Sequence, residues 1–170
     1  MKKSVIRVGR FRLAAGLAAG FAVVAAAWCA LGQNRSLMTV TPVTYLYPEQ
    51  VTVPAGRASA LTLHFQIAQG LHINSHTPSD DYLIATTLTF PAGSGVRLVN
   101  ADYPPGSDLT LAMDPKTHLS VYTGEFAINA QIVAQAGNHL VEGQLRYQAC
   151  DGSQCLPPKT IPVAIDVIGR

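Results

Sequence analysis

The stretch ALTLHFQIAQG, residues 60–70, sets Leu61, Leu63, Phe65 and Ile67 against Thr62, His64 and Gln66 in strict alternation. Successive residues of a strand point to opposite faces, so a period of two describes a strand with one buried face and excludes a helix, whose repeat is 3.6. Comparable stretches follow along the chain. LIATTLTF (83–90) stops at Pro91-Ala92-Gly93, VRLVNADY (96–103) at Pro104-Pro105-Gly106, and SVYTGEFAINAQIVAQ (120–135) at Ala136-Gly137-Asn138. HLVEGQLRYQA (139–149) and TIPVAIDVI (160–168) complete the series. Nothing after Gly32 sustains a helical repeat with caps. Short strands separated by Gly, Pro and Asn turns about every ten residues predict an antiparallel β-sandwich. The least regular segment, DYPPGSDLTLAMDPKTHLS from Asp102 to Ser120, is expected to be a long loop, and long loops in compact domains often carry function.

The N-terminus reads differently. Lys2, Lys3, Arg7, Arg10 and Arg12 precede an apolar run rich in Ala and Gly from Leu13 to Gly32. This is the charged and then apolar order of an export signal, and at roughly 20 residues the run is also long enough for a membrane anchor. Residues 1–32 are thus expected to be a signal peptide or anchor, with the folded domain at 33–170. Cleavage after Ala27 or Gly32 fits the small residues there. Cys29 follows Trp28, a poor context for lipidation. All ten acidic residues lie beyond position 33, so the exported part holds seven basic against ten acidic residues, net −3, although the whole chain is +2. The basic balance is a targeting property and gives no support to nucleic-acid binding.

Cys150 and Cys155, in RYQACDGSQCLPPKTIPV, are the two cysteines outside the apolar segment. An oxidising compartment makes a bond between them chemically reasonable, and three roles stay open. As a staple, a six-residue loop would add only about 2 kcal/mol in the chain-entropy model. As a metal site, two thiolates need further ligands. His72 and His76 would stand about 13 Å apart on an extended strand, too far to share one ion. As a redox pair, the thiols need proximity, an accessible turn and a partner able to reach one sulfur. No Ser/His/Asp arrangement, paired-carboxylate motif, Gly-rich phosphate loop or basic-aromatic patch is present, and no cofactor is expected.

Three stretches then carry a resemblance: GLHINSHTPSDDYLIATTLTF, LSVYTGEFAI and LRYQACDGSQCLPPKTIPV. Together they resemble the N-terminal periplasmic domain family of the thiol:disulfide interchange protein DsbD, over approximately residues 45 to 168. The block from Tyr147-Gln148 through Cys155-Leu156-Pro157-Pro158 is its most specific part. The resemblance implies an immunoglobulin-like sandwich in the periplasm or cell envelope, with Cys150 and Cys155 as the exchanging pair. It also implies that Cys155 forms the mixed disulfide with partners. Those partners would be a thioredoxin-like redox protein or membrane electron donor on one side and exported disulfide-containing acceptor proteins on the other. The family's best-known members continue into a membrane domain and a thioredoxin-like domain, whereas this sequence stops at Arg170, so a separate donor is expected. The family also shields its disulfide with a cap loop bearing an aromatic residue. The matching stretch here, Leu111 to Leu119, offers Leu111, Met113 and His118 instead.

Four further residues are candidates for lining the site. Tyr147 reads as a packed strand residue whose hydroxyl could face the cysteines, and His72 and Asn74 lie in the first resembling stretch. Asp151, beside Cys150, is expected to disfavour a thiolate there. Two readings from other classes stand beside the relay: a non-catalytic binding module with a structural disulfide, and copper or other metal handling.

Overall fold

The period-two stretches do fold as strands, and the alternation decides which side chains meet. The computed structural model describes residues 40–46, 49–111 and 114–170. The expected signal or anchor at 1–32, the expected domain start at Gln33 and Met113 of the candidate cap lie outside the described residues. Among the described residues, no helix is long and apolar enough to cross a membrane.

Among the described residues, twelve strands form three four-stranded sheets. The first sheet orders β1 (Val43–Leu46), β3 (Ala58–Ile67), β9 (Glu125–Ala134) and β6 (Val96–Asp102). The second orders β2 (Glu49–Val53), β12 (Lys159–Gly169), β10 (Gly137–Tyr147) and β5 (Thr87–Thr89). On β3 and β9 the alternation buries Leu61, Leu63, Phe65 and Ile67 with Phe126, Ile128 and Ile132; on β10 and β12 it buries Val141, Leu145 and Tyr147 with Val163, Ile165 and Val167. These inward faces make one continuous hydrophobic core, the arrangement of an all-β sandwich. Phe65 stacks on Phe126, and Phe126 on Tyr122, at ring separations of 5.2 and 4.9 Å.

The third sheet orders β11 (Ala149–Cys150), β4 (His72–Asn74), β8 (Asp114–Tyr122) and β7 (Ser107–Leu111). It is built from continuations of the sandwich strands. β4 follows β3 through Ala68–Leu71, β8 runs into β9 through Thr123 and Gly124, and β11 follows β10 after Gln148. Gly70 (φ 81°) and Gly124 (φ 63°) take the left-handed backbone conformation that two of these turns require.

Two local expectations are corrected. The segment 102–120 is no loop: β7 and β8 pair as an antiparallel hairpin from Ser107↔Val121 to Leu111↔Asp114, with a register irregularity at Thr110/Leu111. Conversely, only Thr87–Thr89 of LIATTLTF is strand. Upstream of it the polar groups are taken up by other bonds: Leu83 N donates to Asp80 O, Asn74 Nδ2 to Ile84 O at 3.1 Å, and Thr86 Oγ1 to Asn74 O at 2.6 Å. Among the described strand pairs, β2 with β12 is parallel and the rest are antiparallel, as expected of the sandwich.

Core alternation should dominate stability. Ile128→Ala, at a position with no solvent exposure, is expected to cost about 2–5 kcal/mol. Leu140→Ala, at an outward position 61% exposed, should stay within about 0.5 kcal/mol. Urea denaturation of the two variants beside the parent checks the contrast.

Candidate functional site

The site begins where β10 runs out. Ala149 and Cys150 continue the chain into the third sheet, then Asp151 to Gln154 turn it back so that Cys155 faces Cys150. Two main-chain bonds flank the pair: Leu156 N donates to Ala149 O at 2.8 Å, and Asp151 N to Gln154 O at 2.9 Å. This makes Cys150 and Cys155 a non-hydrogen-bonded antiparallel pair, the position where opposed residues approach closest. Their Cα atoms are 4.0 Å apart and the sulfurs are bonded.

The turn is fastened by Asp151. Its Oδ1 accepts from Ser153 N at 2.7 Å, Ser153 Oγ at 2.8 Å and Gln154 N at 2.8 Å. This is an Asx turn, in which a short carboxylate replaces a main-chain acceptor. The hydrogen bonds, led by that from Ser153 N, hold the Asp151 carboxyl below its ordinary pKa. The residue expected to act on the Cys150 thiol is therefore also the clasp of the hairpin. On the other arm, Gln148 Nε2 donates to Leu156 O at 3.2 Å, and Leu156 packs against the core. The two sulfurs differ in access: Cys150 is 4% exposed, whereas Cys155 and the following Pro157 and Pro158 are exposed.

The remaining candidates separate into groups. His72 is brought to the cysteines, paired directly with Cys150 across the β4–β11 ladder. It is buried; burial lowers its pKa below 6.5, against a smaller opposing pull from Asp151. Asn74, also buried, uses its amide to hold the segment after β4. Tyr147 is wholly inside the core, and burial raises its phenol pKa against a smaller effect of the Val43 main chain. Leu111 lines a groove of about 680 Å³ whose walls also include Leu109, Leu71, His72 and Gly152 of the disulfide turn. His118 is exposed, its Nδ1 3.0 Å from Asp108 Oδ2 and 3.5 Å from Oγ1 of the groove residue Thr110. His76, weighed earlier as an imidazole donor, stacks on Tyr103 at 3.8 Å and donates through Nδ1 to Thr86 O at 2.9 Å. Among the described residues, no three His, Cys, Asp or Glu side chains gather as a metal site.

Fold and site together define a β-sandwich with an end-mounted disulfide hairpin. The sequence profile of the family described as "Thiol:disulfide interchange protein DsbD, N-terminal" matches residues 42–166, and the chain belongs to that family. Among solved structures, it is similar to the N-terminal periplasmic domain of ScsB from Proteus mirabilis, with 15% identity and a TM-score of 0.51, over 72% of this chain and 43% of that one. The chain thus spans less than half of that relative. The Neisseria meningitidis DsbD N-terminal domain in the reduced form is similar at 17% identity and a TM-score of 0.45, over 68% of this chain and 81% of that one. No curated protein sequence matches the chain.

Because the hairpin has its own hydrogen bonds, reduction should leave the sandwich folded and cost about 2 kcal/mol. Far-ultraviolet circular dichroism with and without reductant reads this directly, and loss of the β signal on reduction would contradict it.

His72 gives a pH dependence of known sign. Its folded-state pKa lies below 6.5, so on acidification the unfolded chain binds this proton first. The corresponding stability is present above that value and lost below it. The drop in urea midpoint between about pH 7 and about pH 5.5 should therefore be smaller in His72→Gln than in the parent.

Proposed function

We propose that this domain relays reducing equivalents in the cell envelope by thiol–disulfide exchange at Cys150 and Cys155. One observation carries the reading: in a chain of this family, the two sulfurs face each other in a surface hairpin with one exposed and the other buried. Exchange needs in-line access to one sulfur, while the other serves as leaving group and later as attacking thiol. Cys155 is then the sulfur that meets the partner, and Cys150 resolves the mixed disulfide. Reduction of the domain draws on a thioredoxin-like protein or membrane electron donor, and its oxidation serves exported disulfide-containing proteins. Leu111 and Leu109, beside the turn, are the aliphatic wall against which a partner packs.

The envelope address is supported by the basic and then apolar order of residues 1–32, which would export or anchor a domain beginning at 33. The description of the Proteus mirabilis relative as a periplasmic domain supports it too.

Trapping tests the assignment. With a thioredoxin-like donor that lacks its resolving cysteine and carries nitrothiobenzoate as the leaving group on the remaining one, Cys150→Ala should accumulate a mixed disulfide on non-reducing gels, releasing nitrothiobenzoate, and Cys155→Ala should not. The opposite pattern would exchange the two roles. Trapping by neither variant would leave the bridge as a structural staple in a binding module.

A further inference from the structure

Ile73 and Ala149, the pair next to His72 and Cys150 in the β4–β11 ladder, both belong to the core. Side chains alternate along strands, so His72 and Cys150 share the other face, where His72 lines the groove beside the disulfide turn. Directly opposed residues hold their Cβ atoms about 4.5–5.5 Å apart, within reach of an imidazole and a thiol. His72 is 6% exposed and Cys150 4%, so bulk water has little access to a proton on that sulfur.

We propose that His72 is the proton acceptor and donor for Cys150 during exchange. This rests on the exchange role proposed above. In the resolving step the Cys150 S–H proton passes to the imidazole ring. The freed Sγ electron pair forms the bond to Cys155 Sγ, the bond from Cys155 to the partner breaks, and its electron pair leaves on the partner's sulfur as a thiolate. The domain's two thiols end as a disulfide, and the partner's sulfur is reduced. In the opposite direction a donor thiolate attacks Cys155 Sγ, the bond to Cys150 breaks, and the departing Cys150 thiolate takes the proton back from the imidazolium.

The surroundings of His72 suit both halves of this cycle. Burial disfavours the charged ring and keeps the imidazole neutral and able to accept, while the Asp151 carboxylate favours the imidazolium once formed. The groove walls from β3, β7 and the β8–β9 turn bring Gln66, Leu109, Thr110, Leu111 and Thr123, none of them charged. On β8 the neighbouring ionisable group, Tyr122, is paired with Ile73, belongs to the core and donates its hydroxyl to Pro104 O at 2.9 Å. Asp151 is thus the charged group acting on the ring.

Reduced protein mixed with dithiobis-nitrobenzoate should release one coloured thiolate when exposed Cys155 is modified and a second when Cys150 expels the other half. The second phase, followed by stopped flow from about pH 5 to about pH 9, is the readout. His72→Gln should slow that phase at neutral pH by roughly 10²-fold and give it a tenfold rise per pH unit, the mark of attack by free thiolate alone. A second phase with the parent's rate and pH profile in His72→Gln overturns the proposal and leaves the exchange role standing. Absence of the second phase in the parent at every pH overturns the exchange role and the part of His72 with it. Should His72→Gln not fold, His72→Asn carries the test by the same readout: a slowed second phase that rises tenfold per pH unit supports the proposal, and the parent's rate and pH profile overturn it.

Discussion

Two main-chain hydrogen bonds, Leu156 N to Ala149 O and Asp151 N to Gln154 O, place Cys155 against Cys150. The rest of the molecule supports them. Cys150 is fixed because β11 pairs with β4, and β4 is fixed because it continues β3, whose apolar residues are locked in the core. On the returning arm, Leu156 is held by Gln148 and by its contact with the core, and the prolines then leave the chain at the surface. A site on so short a hairpin obtains its geometry from strands that begin deep in the sandwich.

The same arrangement separates the sulfurs by environment. Cys150 sits on the strand side, under the sheet's neighbours, and Cys155 on the side of the exposed turn. No charged cluster is needed to distinguish them, because the direction of the chain does so. The polar segment after β4 adds a second anchorage: Ser75 N donates to Ser120 O at 2.9 Å, and Ser75 Oγ lies 2.8 Å from Ser120 Oγ, tying β4 to β8 beyond the ladder itself.

Much of this was legible in the sequence, for identifiable reasons. The alternation of Leu61, Leu63, Phe65 and Ile67 named the core face of β3, and the double proline after Leu156 marked a surface segment. The family resemblance, resting on the cysteine block and two strand segments, pointed to the fold. Other features were hidden because they depend on partners far along the chain. Nothing local to His72 says that it will stand opposite Cys150; that register follows from how β10 and β3 end. The β7–β8 hairpin was missed because its connection lacks the usual Asn-Gly or Gly-Gly signal. The strand expected at Leu83–Thr86 was overruled by side-chain bonds from Asn74 and Thr86, which a periodicity count does not see. Asp151 was readable in part: its charge drew the expectation at the thiol, while an Asp followed by Gly-Ser-Gln is also the turn signal that the hairpin uses.

The Asp151 clasp has a consequence for the equilibrium between the two oxidation states. In a flexible loop, forming the bridge must gather two wandering thiols, and the lost freedom weakens the disulfide relative to the open dithiol. Here Asp151 Oδ1 and the flanking main-chain bonds fasten the turn alongside the sulfur–sulfur bond. A turn that keeps these bonds on reduction would present the two thiols to each other at a high effective molarity, with little reorganisation separating the open from the closed form. Such pre-alignment favours the closed form, and a dithiol whose closed form is favoured gives up its electrons readily. A turn carboxylate that never touches sulfur would thereby set how strong a reductant the pair can be.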